Sequence, residues 1–139
     1  MIQPIHLNIS SVERVEASAL ANAQQLPGWR IFVGALIYWE PISIFGYAQL
    51  TISDKMDNQQ RIFSAQLQFL TDSLLVTNGR QYAYRLTTVN GKQYIMGLNQ
   101  PPFTVLTNSV SMPKDPKNKS GNTVSISLQG PIPPLLYIG

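Results

Sequence analysis

Apolar and polar residues alternate one by one along several stretches of this chain, the period of a strand with one face buried. Phe63, Ala65, Leu67 and Phe69 alternate with Ser64, Gln66 and Gln68, and Val124, Ile126 and Leu128 alternate with Ser125, Ser127 and Gln129. Both patterns predict half-buried strands. From Tyr47 to Ser53 the residues Ala48, Leu50 and Ile52 take one side and Tyr47, Gln49 and Thr51 the other, and Asp54 to Gln60 reads as the polar turn of a hairpin. Ile31 to Trp39 is apolar nearly throughout and predicts a strand buried on both faces. Phe103 to Met112 predicts another strand, which starts after Pro101 and Pro102 because proline cannot donate to a central ladder.

The strongest local signal lies in Tyr82 to Leu98, where two β-prone runs flank Asn90 and Gly91, the pair favoured by a two-residue type I′ turn. That turn pairs Val89 with Lys92, Leu86 with Ile95 and Tyr84 with Gly97. It puts Tyr82, Tyr84, Leu86, Ile95 and Gly97 on one face, predicted to be core. The other face carries Arg85, Thr87, Val89, Tyr94, Met96 and Leu98. It is too apolar for free solvation, so it packs under a second layer or meets another subunit.

Three segments depart from alternation. Ser10, Glu13 and the Ala-rich run to Gln25 resemble a capping box and helix ended by Pro27 and Gly28, while the thin apolar stripe equally fits an extended segment crossing the surface. Thr71 to Asn78 admits a short helix capped by Asp72 and closed by Gly79. Met112 to Asn122, with prolines and lysines and hardly an apolar residue, predicts a mobile loop between strands. The last segment, Gly130 to Gly139, combines Pro131, Pro133 and Pro134 with Ile132, Leu135, Leu136, Tyr137 and Ile138. The prolines forbid a helix and favour an extended arm, which folds back on its own sheet or docks on a neighbour.

The chain has 139 residues, enough for one core, so the reading is a single β-rich domain over 1–139 with a mobile loop at 112–122 and an extended arm at 130–139. The fold class predicted is mainly β: an antiparallel β-sandwich or barrel with at most one or two short helices. Composition adds one anomaly. Apolar residues make up an ordinary 44%, but charged residues only 12%, about half of the usual ~25%. Ser, Thr, Asn and Gln fill the surface instead, which lets it lie against another protein at low desolvation cost.

The net charge of +3 is spread without any block of like charges, so no direct nucleic-acid binding is expected. The first ten residues lack the basic and apolar pattern of a secretory signal, and no apolar run is long enough to span a membrane; no membrane association is expected. Without cysteine the chain has no disulfide, thiolate metal site or cysteine nucleophile. His6 is the one histidine, a poor basis for a Ser-His-Asp triad. Glu13 with Glu16 and Asp54 with Asp57 read as a solvated helix turn and a polar loop before they read as catalytic pairs. No phosphate-binding glycine loop or calcium loop is present. The expectation is therefore no enzyme, no catalytic residue, no metal and no cofactor. Lys114, Lys117 and Lys119 read as a soluble loop. Trp29, Tyr38 and Trp39 read as core aromatics before a sugar-stacking platform.

The runs RQYAYRLTTVNGKQYIMG from Arg80 to Gly97, PPFTV from Pro101 and SGNTVSISLQGPIPPL from Ser120 resemble small virion proteins of phages and prophages of Bacteroidetes. Those proteins share a hairpin, a Pro-Phe or Pro-Tyr strand start, a loop and a last strand leading into a proline-containing tail. The resemblance covers the second half of the chain and touches the first around Gly28-Trp29-Arg30. It implies a tail, neck or head-tail connector subunit, located in the virion and assembled in the host cytoplasm. Its partners are then further copies of itself, as a homo-oligomer, and adjacent virion proteins. The expected interface is the outer hairpin face, Arg85, Val89, Tyr94, Met96 and Leu98, with the arm residues Pro131, Ile132, Pro133, Pro134, Leu135, Leu136 and Tyr137. The alternative is a non-catalytic carbohydrate-binding or adhesin-like module using Trp29, Trp39 or Tyr38.

Overall fold

Strand β1 (Ile5–Glu16) occupies the middle of the sheet although its sequence carries the helix-like Ser10 and Glu13. Its capping-box serine does other work. The register of β1 against β7 (Tyr82–Thr88) slips between Ile9 and Ser11, and the Ser10 hydroxyl donates to the carbonyls of Thr87 at 3.1 Å and Thr88 at 3.4 Å. This bulge lets Ile9 and Val12, of opposite parity, face the same core. The helix predicted for the Ala-rich run shrinks to a 3-10 turn, Ala17–Leu20, and neither a helix nor a surface crossing describes residues 10–16.

The computed structural model describes residues 4–33, 37–71, 75–99, 102–111 and 121–137. After the 3-10 turn come β2 (Gln24–Leu26), β3 (Arg30–Phe32), β4 (Glu40–Ile42), β5 (Phe45–Asp57) and β6 (Gln60–Thr71). Past β7 follow β8 (Gln93–Met96), β9 (Val105–Ser111), β10 (Gly121–Gly130) and β11 (Leu135–Tyr137). The chain is mainly β, as its alternation predicts. The strands form one 11-stranded sheet in the order β2-β3-β11-β8-β7-β1-β5-β6-β10-β9, with β4 on the flank of β1. The sheet is mixed, because β11 runs parallel to β3, and it stays open; a sandwich-like sheet forms and a closed barrel does not.

Two cores fill it. Ile9, Leu50, Leu67, Tyr84, Leu86, Met96 and Ile126 lead the first, drawn from β1, β5, β6, β7, β8 and β10. Leu20, Ile31, Val33, Trp39, Ala83, Ile95 and Leu135 form the second. Successive residues of β7 and β8 enter different cores, so the hairpin is buried on both faces. Its predicted register is corrected by one residue. Tyr84 pairs with Met96 and Leu86 with Tyr94, because the turn has three residues: Thr88 N–H bonds to Lys92 O at 2.8 Å and Gly91 N–H to Thr88 O at 3.0 Å, with Gly91 at φ +89°. This is a type I turn closed by a glycine bulge, the next most common hairpin form. The two-residue turn occurs instead between β5 and β6, where Asp57 pairs with Gln60 and both Asn58 and Gln59 have positive φ. The polar turn predicted from Asp54 is thus strand up to Asp57.

The remaining expectations fare unevenly. β6 and β10 bury the predicted residues. The double-faced strand at Ile31 holds only in part, since Ile31 and Val33 are buried, Phe32 is exposed and residues 34–36 lie outside the described residues. Residues 75–77 are not helical, and Asp72 lies outside the described residues. So do 112–120, with Lys114, Lys117 and Lys119; Asn122, assigned to that loop, is a buried residue of β10.

Candidate functional site

The predicted interface residues do not form one surface. Met96 is fully buried in the first core, and Leu135, 2% exposed, sits in the second. Pro134 is buried, Tyr94, Leu98, Ile132, Pro133, Leu136 and Tyr137 are half-buried, and Val89 and Pro131 are exposed. The arm folds back on its own sheet. β11 inserts between β8 and β3, pairing Leu135 with Ile95 and Leu136 with both Tyr94 and Arg30, and Leu136 N–H donates to Trp29 O at 2.8 Å. Arg85 locks this arrangement. It donates to Glu13 Oε1 from Nη2 at 2.7 Å and Nε at 3.0 Å, and its guanidinium lies over the rings of Trp39 at 4.9 Å and Tyr137 at 5.6 Å. The predicted outer face is not one face: Tyr94 and Met96 lie across from Leu86 and Tyr84 on the side of the first core, and Arg85 lies across from Ile95 on the side of the second.

The aromatic candidates separate in the same way. Trp39 is a core residue and cannot line an open groove, whereas Tyr38 is 84% exposed. Trp29, with φ 58°, is partly exposed and packs edge-on against Phe63 at 5.5 Å, which in turn carries Arg61 over its ring at 4.8 Å. The acidic pairs are also separated. Glu13 bonds Arg85, Glu16 bonds Arg80 and Asp54 bonds Arg61. No group of three or more His, Asp or Glu side chains gathers among the described residues.

A different surface emerges from the pairing of five neighbouring strands, β1, β5, β6, β10 and β9. Asn8 lies opposite Gln49, Gln49 opposite Gln68, Gln68 opposite Ser125, and Ser125 opposite Thr107. The next row along the strands reads His6, Thr51, Gln66, Ser127 and Val105. Ser53, Ser64 and Gln129 continue it on one side, and Phe45, Leu70, Thr123 and Ser109 on the other. Side chains that share a row point to the same side of the sheet, and hydrogen bonds between them confirm it: Gln66 Nε2 donates to Ser125 Oγ at 3.1 Å, and His6 Nδ1 lies 3.2 Å from Thr51 Oγ1. Among the described residues, this face holds no Lys, Arg, Asp or Glu from the Phe45 row to the Ser53 row. At ~4.8 Å between strands it is about 19 Å across.

Along one side runs a shallow groove of about 480 Å³, lined by Ser53, Ser64, Gln66 and Gln129, with Phe103 and Val105 at its border. A second, apolar cleft of about 130 Å³ lies between Ile95, Leu98, Leu128 and the arm prolines Pro131 and Pro133. Compared with known families, curated proteins and solved structures, the chain matches none. The sequence shows that charge is scarce. Which uncharged residues become neighbours depends on four strand pairings, and those are visible only in the fold.

Proposed function

We propose that this protein is a structural subunit that works by protein-protein contact, and that the uncharged face of β1, β5, β6, β10 and β9 is its contact surface. The observation that carries this reading is the face itself. Five strands present amides and hydroxyls in register, with no formal charge among the described residues between the Phe45 and Ser53 rows. Such a face loses little solvation free energy when covered and can form hydrogen bonds across an interface, while its exposed Phe45, Leu70 and Val105 supply apolar contact. The likeness of the second half to small virion proteins supports a finer assignment, a tail, neck or head-tail connector component assembled in the host cytoplasm into the virion.

The test is to place charge on the face without touching the core. Gln66 and Thr107 point outward, so Gln66→Lys with Thr107→Lys should leave the circular dichroism spectrum intact. Co-purification with particle proteins, followed by mass spectrometry of the particles, should drop at least tenfold. Undiminished incorporation would reject the face as the contact surface.

The groove favours a second reading, a carbohydrate site, since amide and hydroxyl groups beside the Phe103 ring match the polar edges and apolar faces of a sugar. A glycan array separates the two: binding by the monomer that is lost in Phe103→Ala and Gln66→Ala would replace the assembly reading.

A further inference from the structure

The sheet ends in two very different ways. At one end lies β2, three residues long; at the other lies β9, seven residues of uninterrupted ladder from Val105 to Ser111. Only one side of β9 is bonded, to β10, with a constant register from Ser127↔Val105 to Gly121↔Ser111. Among the described residues no backbone group pairs with its other side. An unpaired edge of this kind is a template for another strand, and proteins ordinarily blunt it with lysine, proline or a bulge. β9 has none of these. Its sequence, VLTNSVS, is free of charge and proline, and Val105 is 59% exposed.

We infer that β9 pairs edge to edge with the β9 of a second copy, in antiparallel orientation about a two-fold axis. The inference rests on the proposed assembly role and names the first contact within it. Four observations favour a second copy over a foreign peptide. A strand that pairs with itself meets no like charge, because it has none. Its outward Thr107 and Ser109 are small and exposed, and the shallow groove reaches β9 at Val105, so the strand offers little of the side-chain pocketing that selects a peptide. The dimer extends the uncharged face across the axis, since these residues already continue the rows of β10, β6, β5 and β1. On the inner side, the half-buried Leu106, which packs against the first core, gains cover. A two-fold pairing also closes: β2, too short and of different sequence, offers no second site, so growth stops at the dimer. Seven residues of strand, about 24 Å, bury an area at the low end of stable interfaces, so the association is concentration-dependent.

The experiment uses the full chain and two charge variants of the exposed outward positions, Thr107→Lys with Ser109→Lys and Thr107→Glu with Ser109→Glu. In sedimentation velocity from about 1 µM to 1 mM, the wild type is expected to pass from monomer to dimer, and each variant to stay monomeric with an unchanged far-ultraviolet spectrum. An equimolar mixture of the variants is expected to recover the dimer at low salt and to lose it in ~1 M salt, where the charges are screened. A wild type that remains monomeric throughout, or variants that dimerise as well as the wild type, would overturn the edge pairing. Failure of the assembly role looks different: the wild type itself is then absent from particles, whereas failure of the edge alone leaves a wild type that stays monomeric in solution and is still incorporated.

Discussion

Tyr84 shows how closely the first core is packed around polar atoms. Its side chain is almost fully buried, opposite Arg14 and Met96 in the ladders. Burial pushes the phenol up to about 12, with the nearby Arg14 guanidinium pulling the other way. Arg14 is itself sequestered, lying 4.4 Å from the Tyr82 ring centre and donating to Val76 O at 3.0 Å. The raised value fixes the sign of a stability effect. Below about pH 10 both folded and unfolded chains hold the proton; between about 10 and 12 only the folded chain does, so the unfolded state gains and stability falls. Full expression corresponds to on the order of 2–3 kcal/mol. Urea denaturation of the wild type at pH 9 and pH 11.5 should therefore show a marked loss, and Tyr84→Phe should lose less over the same interval. An equal loss in both proteins would place the alkaline sensitivity elsewhere.

At the scale of elements, neither hairpin has the turn that its sequence suggests. Asn90-Gly91 is the stronger two-residue signal, yet Thr88 and Lys92 close a three-residue loop. Asn58-Gln59 makes the two-residue turn with Gln59 at φ 65°. A non-glycine residue there costs about 1–2 kcal/mol, less what glycine adds to the freedom of the unfolded chain. Gln59→Gly should then raise stability by about 0.5–1 kcal/mol in thermal or urea unfolding; a loss would mean that the Gln59 side chain contributes to the turn. The same comparison shows what the sequence could disclose. Alternation located β5, β6 and β10 because one side of each is solvated. The register of β7 and β8 is misplaced because it follows from a two-residue turn where three residues close the loop, and with Tyr84 and Ile95 entering opposite cores a hairpin buried on both faces carries no period to correct it. β1 was obscured by a different cause: Ser10 and Glu13 have helix-start spacing, but one stabilises a bulge and the other meets Arg85 across the ladder. The uncharged face was legible as composition and not as a place, since it is assembled from strands far apart in sequence.

At the scale of the molecule, the arm decides how the two cores hold together. Among the described residues β11 alone links β3 to β8 in the sheet order, so β2 and β3 reach the rest of the sheet through the arm. Leu135 lies in the second core, Tyr137 packs against it and stacks under Arg85, and Leu136 takes the ladder. Burying Leu135 alone is worth about 1.5–3 kcal/mol, and removing its strand also strips β3 of a partner. The first core does not depend on this segment: β5, β6 and β10 close it with their own ladders. Deletion of 131–139 should therefore unfold the molecule in part. The near-ultraviolet signal of Trp39 should collapse and the amide protons of β3 should exchange at least a hundredfold faster. Those of β6 and β10 should keep most of their protection, as expected when neighbouring units open with different free energies. If tryptophan signals and β3 protection survive the deletion, the second core stands without the arm and those nine residues are free for another partner; if protection vanishes uniformly, the two cores are one cooperative unit.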